Sequence, residues 1–143
     1  MKLLINEVLQ KVSNAKTKKE KIKLLQEHNT QALRSILIVN FDESIVSLLP
    51  DGAVPYTPND APDGTEHTVL EKECRILYHF FKGGSKVAQH KRESMFIRLL
   101  EGLSEPEARV MILAKDKQLG KRYKITKQCV AEAFPSIVWG NRS

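Results

Sequence analysis

Apolar residues recur at spacings of three and four along most of this chain, and no window alternates convincingly enough for a strand. That periodicity confines the chain to an all-α fold: a compact multi-helix domain over residues 1–143, large enough to bury a core without metal or disulfide help. Leu4, Ile5, Val8, Leu9 and Val12 form the stripe of a first helix over residues 2–12. Thr17 and Glu20 have capping-box spacing and open a second helix to about His28, with Ile22, Leu24 and Leu25 inward. The run TQALRSILIVNF makes a third, and Asp42 is placed to cap a short fourth turn through Leu49.

Proline and glycine interrupt this pattern from Pro50 to Gly64, an internal loop whose Val54, Pro55 and Tyr56 can pack on the body. Thr65 or Thr68 can start the next helix, and Thr68 with Glu71 again has capping-box spacing. The stripe Leu70, Cys74, Leu77 and Phe81 predicts the central core helix, stopping at Gly83 and Gly84. Residues 91–103 read as a helix with Phe96, Leu99, Leu100 and Leu103 inward and Lys91, Arg92 and Arg98 outward. Ser104 caps the next one, with Glu105, Pro106 and Glu107 in its first turn, and Thr126 is placed to open a last short helix.

The net charge of +6 is unevenly spread. Residues 11–23 and 115–127 each sum to +5, leaving −4 for the remainder. Two compact basic segments on a mildly acidic body suit a polyanion surface; they equally suit two solvated lysine-rich edges, because clusters distant in sequence need not meet in space. Lys121, Arg122 and Lys124, followed by Thr126 and Lys127 at a helix start, combine cations with free backbone amides, both of which receive phosphate oxygens. Lys82 to Lys86 is a smaller basic turn in which Gly83 and Gly84 would bring amides near a phosphate beside Lys86; it also reads as an ordinary helix C-cap.

Catalytic and metal chemistry find little here. The cysteines and histidines lack the paired spacings of zinc sites, and no Walker loop, dinucleotide fingerprint or nucleophile elbow occurs, so no metal, cofactor or catalytic residue is expected. An enzyme using His67, Glu71 or His79 would need those groups to meet in a pocket. Cys74 and Cys129 read as reduced core thiols of a cytoplasmic protein, with no signal-peptide pattern and no run long enough to cross a membrane.

The segments KLLINEVLQKVSNAKTKKEKIKLLQEH and EPEARVMILAKDKQLGKRYKITKQCVAEAFP resemble the two ends of the N-terminal helical DNA-binding domain of small bacteriophage-type ATP-dependent DNA ligases. The resemblance implies a grip on duplex DNA, nicked or intact, through its backbone and minor groove. It puts Gly120, Lys121, Arg122, Lys124, Thr126 and Lys127 in a DNA-facing turn and helix start, with Lys16, Lys18 and Lys19 near the turn after the first helix. The lysine–x–aspartate–glycine adenylation motif is missing, and the chain ends at Ser143 where a ligase would continue, so ligation is not expected. NDAPDGTEHT, the KGG turn and KRESMFIRLLEGL look like those of small uncharacterised proteins from tailed phages of marine bacteria. Together these imply a non-catalytic DNA-binding accessory protein of a phage. The competing expectation is a virion component, or a partner of a phage or host enzyme, that keeps the scaffold without DNA contact.

Overall fold

The computed structural model describes residues 4–49, 54–56, 68–82 and 86–140. The architecture is all-α, with eight helices among the described residues: α1 (Ile5–Asn14), α2 (Lys18–Glu27), α3 (Gln31–Phe41), α4 (Leu70–Glu73), α5 (Gln89–Gly102), α6 (Glu105–Lys115), α7 (Leu119–Tyr123) and α8 (Lys127–Ala133). A 3₁₀ segment, Cys74–Phe80, follows α4 directly. Buried side chains from all of them join one hydrophobic core.

Local signals set most helix starts. The Thr17 hydroxyl accepts the Glu20 N–H at 3.2 Å, and the Glu20 carboxylate reaches back to the Lys16 N–H at 3.3 Å. Ser104 caps α6 by accepting the Glu107 N–H, and Thr126 caps α8 by accepting the Cys129 N–H. Such caps satisfy amides that have no partner within the helix.

The core is centred on α6, which packs against α1, α3, α5 and α7. Val110, Met111 and Ala114 are fully buried. This corrects the expectation of a central helix over 68–82. There, only one α-turn forms before the chain tightens into the 3₁₀ segment and then extends into an antiparallel bridge between Phe81 and Ser47. Two side-chain bonds fasten the start of this segment. The buried Glu107 carboxylate accepts the Leu70 N–H at 3.3 Å, and Thr68, instead of capping, donates its hydroxyl to Glu73 at 2.7 Å. A 3₁₀ rise of about 2.0 Å per residue, against about 1.5 Å in an α-helix, then carries the chain farther toward its pairing with residue 47. Phe80 still reaches the core, meeting Phe96 edge-on at 5.1 Å.

Two smaller expectations are also corrected. Asp42 does open a single turn, its carbonyl accepting the Ile45 N–H at 3.1 Å and its Oδ1 accepting from the Ser44 amide and hydroxyl, but the turn does not continue to Leu49, and the chain runs on to its bridge at Ser47. Arg92 points inward and is 6% exposed. Its guanidinium donates to the His79 and Val87 carbonyls and to Gln89 Oε1, so its buried N–H edges find oxygens. Val54 and Tyr56 do pack against the core. Thr65, Gly83, Gly84 and most of the Pro50–Gly64 loop lie outside the described residues.

Candidate nucleic-acid interface

The α2 helix of the first basic segment packs on α8, which begins at Lys127, the last residue of the second. Gln26 Nε2 donates to the Ala133 carbonyl at 3.1 Å, and Lys18 pairs with Glu132. The charges of Lys21 and Lys18 both reach the buried Cys129 thiol; burial pushes that thiol's pKa up, and the lysines oppose the shift. At the neighbouring edge α7 packs on α1 and α6. Residues 18–23 thus lie on α2, which packs on α8, and residues 119–123 on α7, which packs on α1 and α6.

Their lysines divide into two sets. Four are engaged in holding the fold. Lys21 Nζ donates to the Val12 carbonyl at the end of α1, and Lys18 is the partner of Glu132. Lys115 is buried, its ammonium 2.6 Å from the Asp116 carboxylate. Lys117, at φ +58°, donates to the Val39 and Asp42 carbonyls at 3.0 and 2.7 Å, placing a cation on the negative end of α3. Desolvation lowers the Lys117 pKa, with Asp42 and Glu43 opposing. The second set, Lys11, Lys16, Lys19, Lys23, Lys121, Lys124 and Lys127, is exposed, and so is Arg122.

Position within the second set is fixed by buried neighbours. Asn40, 4% exposed, accepts the Leu119 N–H at 3.0 Å and so ties the start of α7 to α3. Gly120 lies inside α7, which replaces the expected turn. A Cβ there would come within 2.7 Å of the Ile125 carbonyl and 3.3 Å of Phe41, so glycine permits the chain to double back closely. Gly120 therefore serves packing. Lys124 ends α7 in the left-handed region at φ +55°, turning the chain toward Thr126. The Thr126 hydroxyl is engaged by its cap, and Lys127 lies 5.2 Å from the Trp139 ring centre. Lys86 is exposed ahead of α5, away from α2, α7 and α8 in the chain.

Sequence reasoning missed Asn40, Asp42 and Lys117 as the residues that seat this edge. Asp42 is 1% exposed, and its Oδ2 accepts the Gly140 N–H at 3.0 Å. A polar asparagine and aspartate at the end of an apolar helix are the signal that could have found them, because such groups, once buried, need specific partners.

Residues 8–121 match the model of a family of unknown function, DUF6433. The chain belongs to this family. No curated protein and no solved structure matches it. The family match runs from α1 into α7, so it takes in the first basic segment and stops just before Arg122.

Apart from this edge, a concavity of about 310 Å³ lies between α1, the α2–α3 junction and α6, with Glu27, His28, Glu71 and Glu107 on its wall. His79 is not on that wall; its ring stacks on Tyr78 at 4.0 Å, and His67 lies outside the described residues. Among the described residues no group of three His, Cys, Asp or Glu side chains is placed to hold a metal, and no helix is long and apolar enough to cross a membrane.

Proposed function

We propose that this chain is a non-catalytic, duplex-DNA-binding accessory protein of a phage. It grips the phosphate backbone through Lys16, Lys19, Lys121, Arg122, Lys124 and Lys127, with weak sequence preference. The observation that supports this reading is the packing of α2 on α8, which brings the lysine-rich helix of the first segment against the helix that Lys127 opens. Lysine and arginine neutralise phosphate without reading bases, so affinity should depend mainly on counterion release.

The test is a fluorescence titration with nicked, intact and single-stranded DNA at two salt concentrations. Duplex affinity should fall steeply with salt. Joint replacement of Lys121, Arg122 and Lys124 by alanine should lower the slope of log K against log salt by about 0.9 for each phosphate left unneutralised. Binding to no form at low salt, or binding indifferent to salt and to the triple replacement, overturns the proposal.

The second reading, a virion or enzyme-interaction protein, takes support from a different place. Tyr78 and Val46 are 52% and 45% exposed, and Val46 lies on the short Ser47–Phe81 pairing. Exposed large apolar side chains suit a protein contact. Failure of all DNA forms to bind would leave this reading in place.

A further inference from the structure

The α1 helix carries three carboxamides, Asn6, Gln10 and Asn14, at successive intervals of four, a row turned away from Ile5, Val8, Leu9 and Val12. That row lines a groove of about 400 Å³ whose other side is Pro106, Arg122 and Tyr123. The same three residues border a further hollow of about 300 Å³ beside the start of α6.

The polar groups of the groove have a specific chemistry. Gln10 Nε2 donates to Asn14 Oδ1 at 3.0 Å, which orients both amides and leaves the Gln10 oxygen as an acceptor and the Asn14 nitrogen as a donor. Asn6 Oδ1 is buried and meets no hydrogen-bond donor among the described residues. Opposite them the Arg122 guanidinium sits 4.8 Å from the centre of the Tyr123 ring, which is itself 6% exposed, while the arginine is exposed. A planar cation held over an aromatic ring is a stacking platform, and paired amides match the donor–acceptor edge of a nucleobase. Glu7 and Lys11 also border the groove, and Glu105 and Arg109 the adjoining hollow; the Glu7 carboxylate accepts the Leu4 N–H, and Glu105 pairs with Arg109. The guanidinium on its ring and the oriented amides together suit a flat group with a hydrogen-bonding edge.

We propose that the α1–α7 groove receives an unpaired nucleobase, stacked on Arg122 and held at its hydrogen-bonding edge by Gln10 and Asn14. This rests on the DNA reading above: Lys121 and Lys124 flank Arg122 in sequence and would hold the adjoining backbone. Bases in a continuous duplex lie inside the stack, so only a displaced base reaches the groove, and the protein should favour DNA that offers one.

The test uses three labelled duplexes, one intact, one with a single bulged adenosine, and one with an abasic residue at the bulge. The abasic form keeps the phosphates and the distortion but lacks the base. The bulged adenosine should bind about 10-fold more tightly than the abasic form, within the range of stacking by one base. Joint Gln10→Ala and Asn14→Ala replacement, at exposed helix positions that alanine suits, should abolish that advantage and leave intact-duplex affinity and its salt slope unchanged. Equal binding of adenosine and abasic forms, or an advantage that survives the double replacement, overturns the inference and leaves the phosphate grip standing. Binding to none of the three duplexes overturns both.

Discussion

The two basic segments carry the same formal charge of +5 yet are attached to the fold in opposite ways. In the first, Lys18 keeps 46% of its side chain exposed while pairing with Glu132 across the α2–α8 contact. In the second, Lys115 keeps 1% beside Asp116, and the exposed Lys117 reaches back to carbonyls at the end of α3, so part of the charge is tied into the fold. Charge counted along a sequence therefore overstates the field a polyanion meets. Lys21 apart, the lysines of the first segment can be altered with little effect on folding, whereas part of the second is folding machinery.

The largest effect that would break this contrast is expected at Lys115. Lys115→Met leaves the Asp116 carboxylate without that ammonium; with 18% of the Asp116 side chain exposed, the cost should be about 2–3 kcal/mol in a urea unfolding curve. A change below about 0.5 kcal/mol would make the second segment as dispensable as the first. Gly120→Ala comes next. Its new methyl would press on the Ile125 carbonyl, so about 1–3 kcal/mol should be lost, read as a lower Tm.

Alkaline titration is a gentler probe of the contact between the segments. Burial raises the Cys129 thiol above its ordinary 9.0 and the Tyr123 phenol above its ordinary 10.0. Each stays protonated in the folded chain when the unfolded chain has already lost its proton. The stability they confer is fully present below those ordinary values and is lost as pH rises through the folded ones. Lys117, lowered by desolvation, acts in the opposite sense above its folded value and softens the decline. Unfolding free energy should fall from about pH 9 upward, and Cys129→Ala should remove the cysteine share of that slope. The smallest effect is expected at the surface pair: Glu132→Gln should change stability by less than about 0.5 kcal/mol while tightening duplex binding, since it frees Lys18 and removes a negative charge.

What was legible in the sequence follows the same divide between local and distant partners. The stripes of α1, α2 and α3 and the caps at Thr17, Ser104 and Thr126 depend on residues three or four apart, and those elements form where the periodicity places them. The segment 68–82 has an equally good helical stripe, yet Glu107 captures its first amide from 37 residues away and the Ser47 pairing draws out its end. Arg92 reads as outward in sequence because its partners are carbonyls at a 3₁₀ end and in a connecting segment, which no helical wheel contains. At the candidate interface the exposed cations are recognisable by composition. The seat beneath them, Asn40, Asp42 and Lys117, is not, because each bond spans about 75 residues or more.

The α2–α8 contact also orders events during synthesis. The bond from Gln26 to Ala133 spans 107 residues, so α2 leaves the ribosome long before the surface that covers it exists. At about 5–20 residues per second, its apolar side waits on the order of 5–20 s for α8 to emerge. During that interval Leu25 lacks its final neighbours, and the nascent segment offers lysines and an uncovered leucine together. Any chaperone or nucleic acid that meets the chain then meets a stickier object than the finished protein.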